Sequence, residues 1–99
     1  MRYQPLGTSG LVVSSVGVGC NAFGKRIDQT ATTAVIDAAV DAGINFFDTA
    51  DSYGSGVSEQ MLGKALGTRR DQVVIATKFG MDTGGLYGED FGVRGSRGY

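Results

Sequence analysis

The chain has 99 residues, enough for one small domain, and its nine Lys and Arg residues nearly balance ten Asp and Glu residues. The net charge of −1 argues against a nucleic-acid partner, because nucleic-acid binders need a clustered basic surface. The longest apolar run, residues 73–76, is far shorter than the roughly 18–20 residues that span a bilayer. We therefore expect neither a nucleic-acid partner nor a membrane span.

Cysteine and histidine usage narrows the chemistry further. The chain has one cysteine, Cys20, and no histidine, so a structural zinc site is excluded in practice and we predict no metal site. A Ser-His-Asp or Cys-His catalytic device is also impossible within these residues. A single cysteine forms no internal disulfide, and residues 1–7 contain no apolar leader, so we expect a cytoplasmic location.

The amino-terminal part of the chain predicts a β-hairpin followed by a strand. Residues 3–6 and 11–15 are short β-prone runs, and the connection between them, Gly7-Thr8-Ser9-Gly10, has a glycine at each end. The first 15 residues are therefore assigned to a hairpin. Residues 16–20 follow as a strand of small side chains, in which glycine indicates close backbone approach.

Two βα units occupy the central part of the chain, residues 16–79. Asp28 is a plausible N-cap for a helix over residues 29–42, and Gly43 suits the left-handed position after it. The apolar residues of this helix fall at a 3.6-residue period and predict its buried face: Ala31, Val35, Ala38, Ala39 and Ala42. A buried strand over residues 44–48 comes next.

The second unit begins after a polar loop, residues 49–57. A short helix is predicted over residues 58–66, with Gly67 ending it, and then a strand over residues 73–77 that is buried on both faces. Residues 80–99 contain many glycines and no periodicity. We assign them to a loop that leads to a third helix absent from this chain.

The order of elements predicts parallel strands joined by right-handed crossovers. Three such strands do not form a closed sheet, so the pattern fits the beginning of either a (β/α)₈ barrel or a doubly wound sheet. A hairpin ahead of the first unit favours the barrel, because it can close the amino-terminal mouth. The fold class is therefore α/β, the first three strands of a TIM barrel with an N-terminal hairpin.

Three polar side chains are predicted at the carboxyl ends of the strands, where both architectures place their sites. Asp48 ends the second strand, Lys78 follows the third, and Tyr53 lies in the connecting loop. A lysine ammonium between a carboxylate and a phenol stabilises the phenolate, so such a tyrosine can donate a proton to a carbonyl oxygen. Each residue alone is weak support, since strand-end Asp and Lys residues and loop Tyr residues often have no chemical role.

Several motifs resemble the aldo-keto reductases. Residues 43–54 read GINFFDTADSYG and residues 58–63 read SEQMLG, which together are similar to the family signature. Residues 74–80 (VIATKFG) resemble the third barrel strand, residues 6–11 (LGTSGL) the opening hairpin, and residues 95–99 (GSRGY) the lead-in to the third barrel helix. The spacing between Tyr53 and Glu59 resembles the branch that holds bacterial sugar and aldehyde reductases and potassium-channel β-subunits.

The resemblance implies NADPH-dependent reduction of a small aldehyde or ketone. It implies that Tyr53 is the proton donor, that Lys78 tunes it, and that Asp48 pairs with Lys78 and touches the nicotinamide ribose. The histidine of the family tetrad and the main NADPH-phosphate site follow later strands, so we expect the 99 residues alone to be inactive. Further contacts to the nicotinamide are predicted at three positions after the first strand: Gly19, Cys20 and Asn21.

Other positions and other functions remain open from the sequence. Phe23 could join the nicotinamide contacts or simply fill the loop, and Glu59 is interpreted as a first-turn acid favoured by the helix dipole. Phe79, Tyr87 and Phe91 could wall an apolar pocket or be loose loop aromatics. Two alternatives to a reductase are a non-catalytic regulatory subunit of the channel-β type and a Schiff-base aldolase with Lys78 as nucleophile.

Overall fold

The computed structural model describes residues 1–80, and it begins with the expected hairpin. Strands β1 (Tyr3–Pro5) and β2 (Val12–Ser14) pair antiparallel, with Tyr3 opposite Ser14. The turn between them uses Gly7 and Gly10, whose φ angles of 57° and 82° are left-handed and suit glycine. The hairpin prediction is confirmed. The predicted loop over residues 80–99, with Tyr87 and Phe91, lies outside the described residues apart from Gly80.

A three-stranded parallel sheet follows, in the order β3 (Val18–Gly19), β4 (Phe46–Asp48), β5 (Val74–Ala76). Each strand is shorter than its predicted run. Hydrogen bonds nevertheless continue the pairing past the strand ends, from the Cys20 N–H to the Asp48 carbonyl at 2.9 Å and from the Thr49 N–H to the Ala76 carbonyl at 2.8 Å. The carboxyl ends of all three strands therefore lie at the same end of the sheet, as the sequence predicts.

Strand β5 is less covered than its composition predicts. Its residues are all half-buried, whereas residues 73–77 were expected to be covered on both faces. Within residues 1–80 this strand pairs with β4 alone and is an edge of the sheet. No helix in this described part of the chain is both long and apolar enough to cross a membrane.

Helix α1 (Gln29–Asp41) begins at the predicted cap. The Asp28 carboxylate accepts a hydrogen bond from the Ala31 N–H at 2.9 Å, which satisfies one of the free donors of the first turn. The helix ends at Ala42, and Gly43 has a φ of 88°, as expected for the residue that reverses the chain after a helix.

The buried face of α1 differs from the predicted one. Thr32, Ile36 and Ala39 are buried, while Val35 is 41% exposed. The sequence prediction gave equal weight to the alanines, but the larger Ile36 buries more apolar surface and sets the orientation of the helix. Thr32 lies four residues before Ile36 and shares its face despite its hydroxyl group.

The cap of α1 gives a stability prediction. Asp28→Ala should destabilise the protein by about 0.5–2 kcal/mol, because it leaves the Ala31 N–H without its partner. Asp41→Ala removes a carboxylate from the other end of the same helix, where it faces the negative end of the dipole, and should leave stability unchanged or slightly higher. Urea unfolding of both variants checks this. Equal losses in the two would show that the Asp28 side chain does not cap the helix.

The core lies between the two helices and the sheet. Helix α2 (Val57–Leu66) is stopped by Gly67, and it packs on α1. The largest completely buried apolar side chains come from both helices and from β4 at the centre of the sheet: Phe47, Ile36, Leu62 and Leu66. This packing fixes both helices relative to the strand ends, and so fixes the loops that those ends carry.

Candidate active site

One lysine ammonium joins the three residues that the sequence singled out. Lys78 Nζ donates to Asp48 Oδ1 at 2.7 Å and to the Thr49 carbonyl at 2.9 Å. It also lies 3.3 Å from the Tyr53 hydroxyl oxygen, which accepts its third hydrogen bond, and 5.0 Å from the centre of the Tyr53 ring. The Lys78 and Asp48 side chains are about half exposed, at 51% and 47%, so the cluster is open to ligands.

The electrostatics of the cluster keep the lysine charged. The hydrogen bond to Asp48 is the main cause that raises the pKa of Lys78 above its ordinary value, and it outweighs the opposing effect of desolvation. The hydrogen bond to Tyr53 raises this pKa further. Lys78 is therefore an ammonium ion throughout the neutral range, and it presents a positive charge to the tyrosine oxygen.

The strand ends and an irregular turn position the cluster. Asp48 and Lys78 leave neighbouring parallel strands, and the chain between them is tied back by a hydrogen bond from the Asp51 N–H to the Lys78 carbonyl at 3.1 Å. Tyr53 starts a turn, Tyr53–Gly56, that leads into α2. In this turn Gly54 and Gly56 have φ angles of 58° and 91°, which glycine adopts without strain.

Gly54 is also favoured by the little space around it. A Cβ atom at this position would lie 3.0 Å from the carbonyl oxygen of Phe23 in the loop after β3. The Tyr53 turn therefore packs directly against that loop. Close approach of the two backbones holds Tyr53 beside Lys78.

A pair of buried hydroxyl groups, on Thr49 and Ser58, lies beneath the surface of the site. The sequence did not predict this pair. Ser58 Oγ donates to the Cys20 carbonyl at 2.7 Å, so the Thr49 hydroxyl donates to Ser58 Oγ at 2.9 Å. Both side chains are at most 1% exposed. The two hydrogen bonds connect Ser58 of α2 both to Cys20, directly after β3, and to Thr49. The Thr49 carbonyl in turn accepts a hydrogen bond from Lys78. The only signal for them was their place within the two motifs of the resemblance.

Comparisons with known proteins identify the family of the chain. The family model described as "Aldo/keto reductase family" matches residues 15–95. The chain belongs to this family. The resemblance seen in the motifs is thereby confirmed, and this aldo/keto reductase chain spans about a quarter of the length of the curated relatives it matches.

One relative and two solved structures illustrate the match. A probable voltage-gated potassium channel subunit beta from Oryza sativa subsp. japonica is 44% identical over 82 residues, which are 79% of this chain and 25% of the relative. The holo form of aldo-keto reductase AKR11C1 from Bacillus halodurans has a TM-score of 0.76 and 43% identity, over 85% of this chain and 28% of that one. An aldo-keto reductase from Klebsiella pneumoniae in complex with NADPH has a TM-score of 0.60 and 31% identity, over 67% of this chain and 24% of that one.

The structural matches confirm the predicted fold class. The aldo/keto reductase chain has the N-terminal hairpin and three parallel strands of a partial α/β fold, and its structural neighbours are TIM barrels of this family. The division into a hairpin, two βα units and a glycine-rich loop stays a prediction.

The three predicted cofactor contacts at the end of β3 differ in their exposure to solvent. Gly19 and Asn21 are exposed. Gly19 lies opposite Asp48 in the sheet, at the carboxyl ends of the strands. Cys20 is completely buried in the core, with its thiol directed at the Val18 carbonyl at 3.6 Å, and burial raises the pKa of this thiol to about 11. The expectation that Cys20 contacts the nicotinamide therefore needs correction, because in this arrangement it presents no surface to a ligand. Phe23, 2% exposed, is likewise a core residue.

Glu59 has a structural contact in addition to its position in the first turn of α2. Its carboxylate accepts a hydrogen bond from the Thr77 hydroxyl at 2.6 Å, which ties α2 to the residue before Lys78. Phe79 is 76% exposed, and its predicted place in a pocket wall stays a prediction. The same part of the chain contains no group of three or more Cys, His, Asp or Glu residues that could hold a metal ion.

Proposed function

We propose that the whole protein is an NADPH-dependent oxidoreductase that reduces small aldehydes or ketones to alcohols, with Tyr53 as proton donor. The observation that carries this proposal is the single Lys78 Nζ that bridges the Asp48 carboxylate and the Tyr53 hydroxyl. A phenol is a weak acid at neutral pH, so it needs such a neighbouring cation to act as a general acid. Membership of the aldo/keto reductase family supports the same reaction.

Each residue of the cluster has a distinct role in this reaction. As the carbonyl carbon is reduced, negative charge develops on the substrate oxygen, and Tyr53 donates its hydroxyl proton there. Lys78 stabilises the phenolate that remains through the 3.3 Å contact. Asp48 keeps Lys78 protonated and, with the Thr49 carbonyl, fixes the direction of its ammonium group.

The residues at the strand edge fit the nicotinamide end of the cofactor. A Cβ atom at Gly19 would have no heavy atom within 4 Å, so there is open space above the end of β3. Asp48 lies opposite Gly19 in the sheet and Asn21 follows two residues after it, and both carry groups that can bind ribose hydroxyls or a carboxamide. When bound, NADPH supplies the hydride. The NADPH complex of the Klebsiella pneumoniae relative supports this choice of cofactor.

The experiment for this proposal is a turnover assay on the whole protein with NADPH and a short aldehyde. Consumption of NADPH should depend on the aldehyde and yield one alcohol per NADPH. Tight NADPH binding without aldehyde-dependent consumption, across aldehydes and ketones of several sizes, would contradict the proposal.

A second candidate function is a regulatory subunit, and the similarity to the channel subunit beta of Oryza sativa favours it. A pull-down from membranes of the source organism, run beside the turnover assay, separates the two functions. A channel partner together with no turnover would support the regulatory subunit. Turnover without a channel partner would support the reductase.

The Schiff-base aldolase is disfavoured by the state of Lys78. A lysine nucleophile must be neutral, and aldolase-type lysines are activated by a lowered pKa. Here Asp48 raises the pKa of Lys78, and all three of the described hydrogen bonds on Nζ need its protons. The site is suited to hold a positive charge.

A further inference from the structure

A polar cleft of about 210 Å³ adjoins the proposed proton donor, and the two basic side chains that line it, Lys25 and Arg26, have no role in the proposed reaction. It lies between the loop after β3 and the Tyr53 turn. Six residues line it, and none is acidic: Asn21, Lys25, Arg26, Ser52, Tyr53 and Gly54. The cleft therefore combines two cations with hydroxyl and amide hydrogen-bond donors, next to the group that donates the proton.

The backbone that carries the two basic side chains is held in place by its own hydrogen bonds and by packing. The N–H groups of Lys25 and Arg26 both donate to the Ala22 carbonyl, at 3.2 and 2.9 Å, which makes a tight turn. Phe23 anchors this turn in the core, and a Cβ atom at Gly24 would lie 2.5 Å from Val57 Cγ1 at the start of α2. The loop thus packs on the base of the Tyr53 turn and cannot move away from it without losing core contacts.

The positive charge of the cleft is not neutralised by the described residues. The salt bridges within residues 1–80 are Arg69–Asp37 and Lys78–Asp48, and neither includes Lys25 or Arg26. The nearest acid along the chain, Asp28, uses its carboxylate to cap α1. An anion in the cleft would therefore meet two available cations.

We propose that this cleft binds an anionic group of the substrate, a carboxylate or a phosphate, while the substrate carbonyl lies at the Tyr53 hydroxyl. This inference rests on the proposed reductase function. The volume holds roughly seven water molecules at ~30 Å³ each, so it fits a terminal carboxylate with the few carbons that join it to the reacting carbonyl. Preferred substrates are then short oxo-acids or phosphorylated aldehydes.

The test compares 4-oxobutanoate with butanal, which share chain length and differ in the carboxylate. In the wild-type whole protein, kcat/KM should be higher for 4-oxobutanoate than for butanal. Salt at molar concentration should reduce this difference in kcat/KM, because it screens an exposed ion contact. Lys25→Gln with Arg26→Gln should lower kcat/KM for 4-oxobutanoate by at least ~10-fold and for butanal by less than ~2-fold. The control pair Arg2→Gln with Lys64→Gln removes the same charges from exposed positions outside the cleft and should change neither value.

Two results would overturn the inference while leaving the reductase function intact. One is an unchanged preference between the two substrates in the Lys25/Arg26 variant. The other is a rise in KM for NADPH that is equal with both substrates, which would assign these cations to the phosphates of the cofactor.

Calorimetric titration with succinate tests the cleft without turnover. The wild type should bind succinate at least ~10-fold more tightly than the Lys25/Arg26 variant, and equal binding would overturn the inference. If butanal and 4-oxobutanoate are both unreactive, the proposed function fails, and succinate binding still decides whether the cleft is an anion site.

Discussion

Replacing Tyr53 with phenylalanine should lower kcat for carbonyl reduction by about 10²–10⁴-fold, the usual contribution of a positioned general acid. The substitution removes one oxygen and keeps the ring, so the packing of the turn on the Phe23 carbonyl should persist. Binding of NADPH should change little, because in the proposed reaction Tyr53 acts on the substrate oxygen rather than on the cofactor. Turnover and NADPH titration of the variant whole protein measure both effects.

Tyr3 offers a matched control for this variant. Its hydroxyl donates to the Gly43 carbonyl at 2.6 Å in an exposed position. Gly43 comes before β4, so this contact is not at the carboxyl ends of the strands, where the site lies. Tyr3→Phe therefore removes the same atom, a hydrogen-bonded phenol oxygen, outside the site, and kcat should stay at the wild-type value. A Tyr53→Phe variant that turns over as fast as Tyr3→Phe would remove Tyr53 from the mechanism.

Replacing Lys78 with methionine should lower kcat by about 10²-fold or more, because the phenolate loses its stabilising cation. In the wild type this cation is present throughout the neutral range, because the hydrogen bond to Asp48 raises the pKa of Lys78 above its ordinary value.

Lys64→Met is the control for this second variant. Lys64 lies exposed in the last turn of α2 and contacts neither Asp48 nor Tyr53. Lys64→Met should keep the wild-type rate. If Lys78→Met also keeps it, Lys78 is only a solvated surface lysine, and its three hydrogen bonds have no catalytic consequence.

The meeting of Asp48, Tyr53 and Lys78 was predictable because it depends on a backbone rule. Parallel strands that are in register have their carboxyl ends at the same end of the sheet. The residues that follow two neighbouring strands therefore lie close together, whatever their side chains are. The caps and turns at Asp28, Gly43 and Gly67 were predictable for a similar reason, since each follows from local backbone requirements.

The features that the sequence did not predict depend on packing between distant elements. The hydroxyls of Thr49 and Ser58 are polar groups in a core, and only the three-dimensional arrangement shows that each has a partner. Cys20 follows a strand that leads to the site, yet its side chain points into the core. The cleft at Lys25 and Arg26 forms only where one loop packs on another.

The central claim is that Tyr53 and Lys78 act as one catalytic unit, and a double-mutant cycle on kcat tests it most directly. The whole protein would be measured as wild type, Tyr53→Phe, Lys78→Met and the combined variant. If Lys78 acts through Tyr53, the combined variant should be about as slow as Tyr53→Phe alone, because the lysine has no phenolate left to stabilise. Losses that multiply in the combined variant would show that the two residues act independently and would contradict the account.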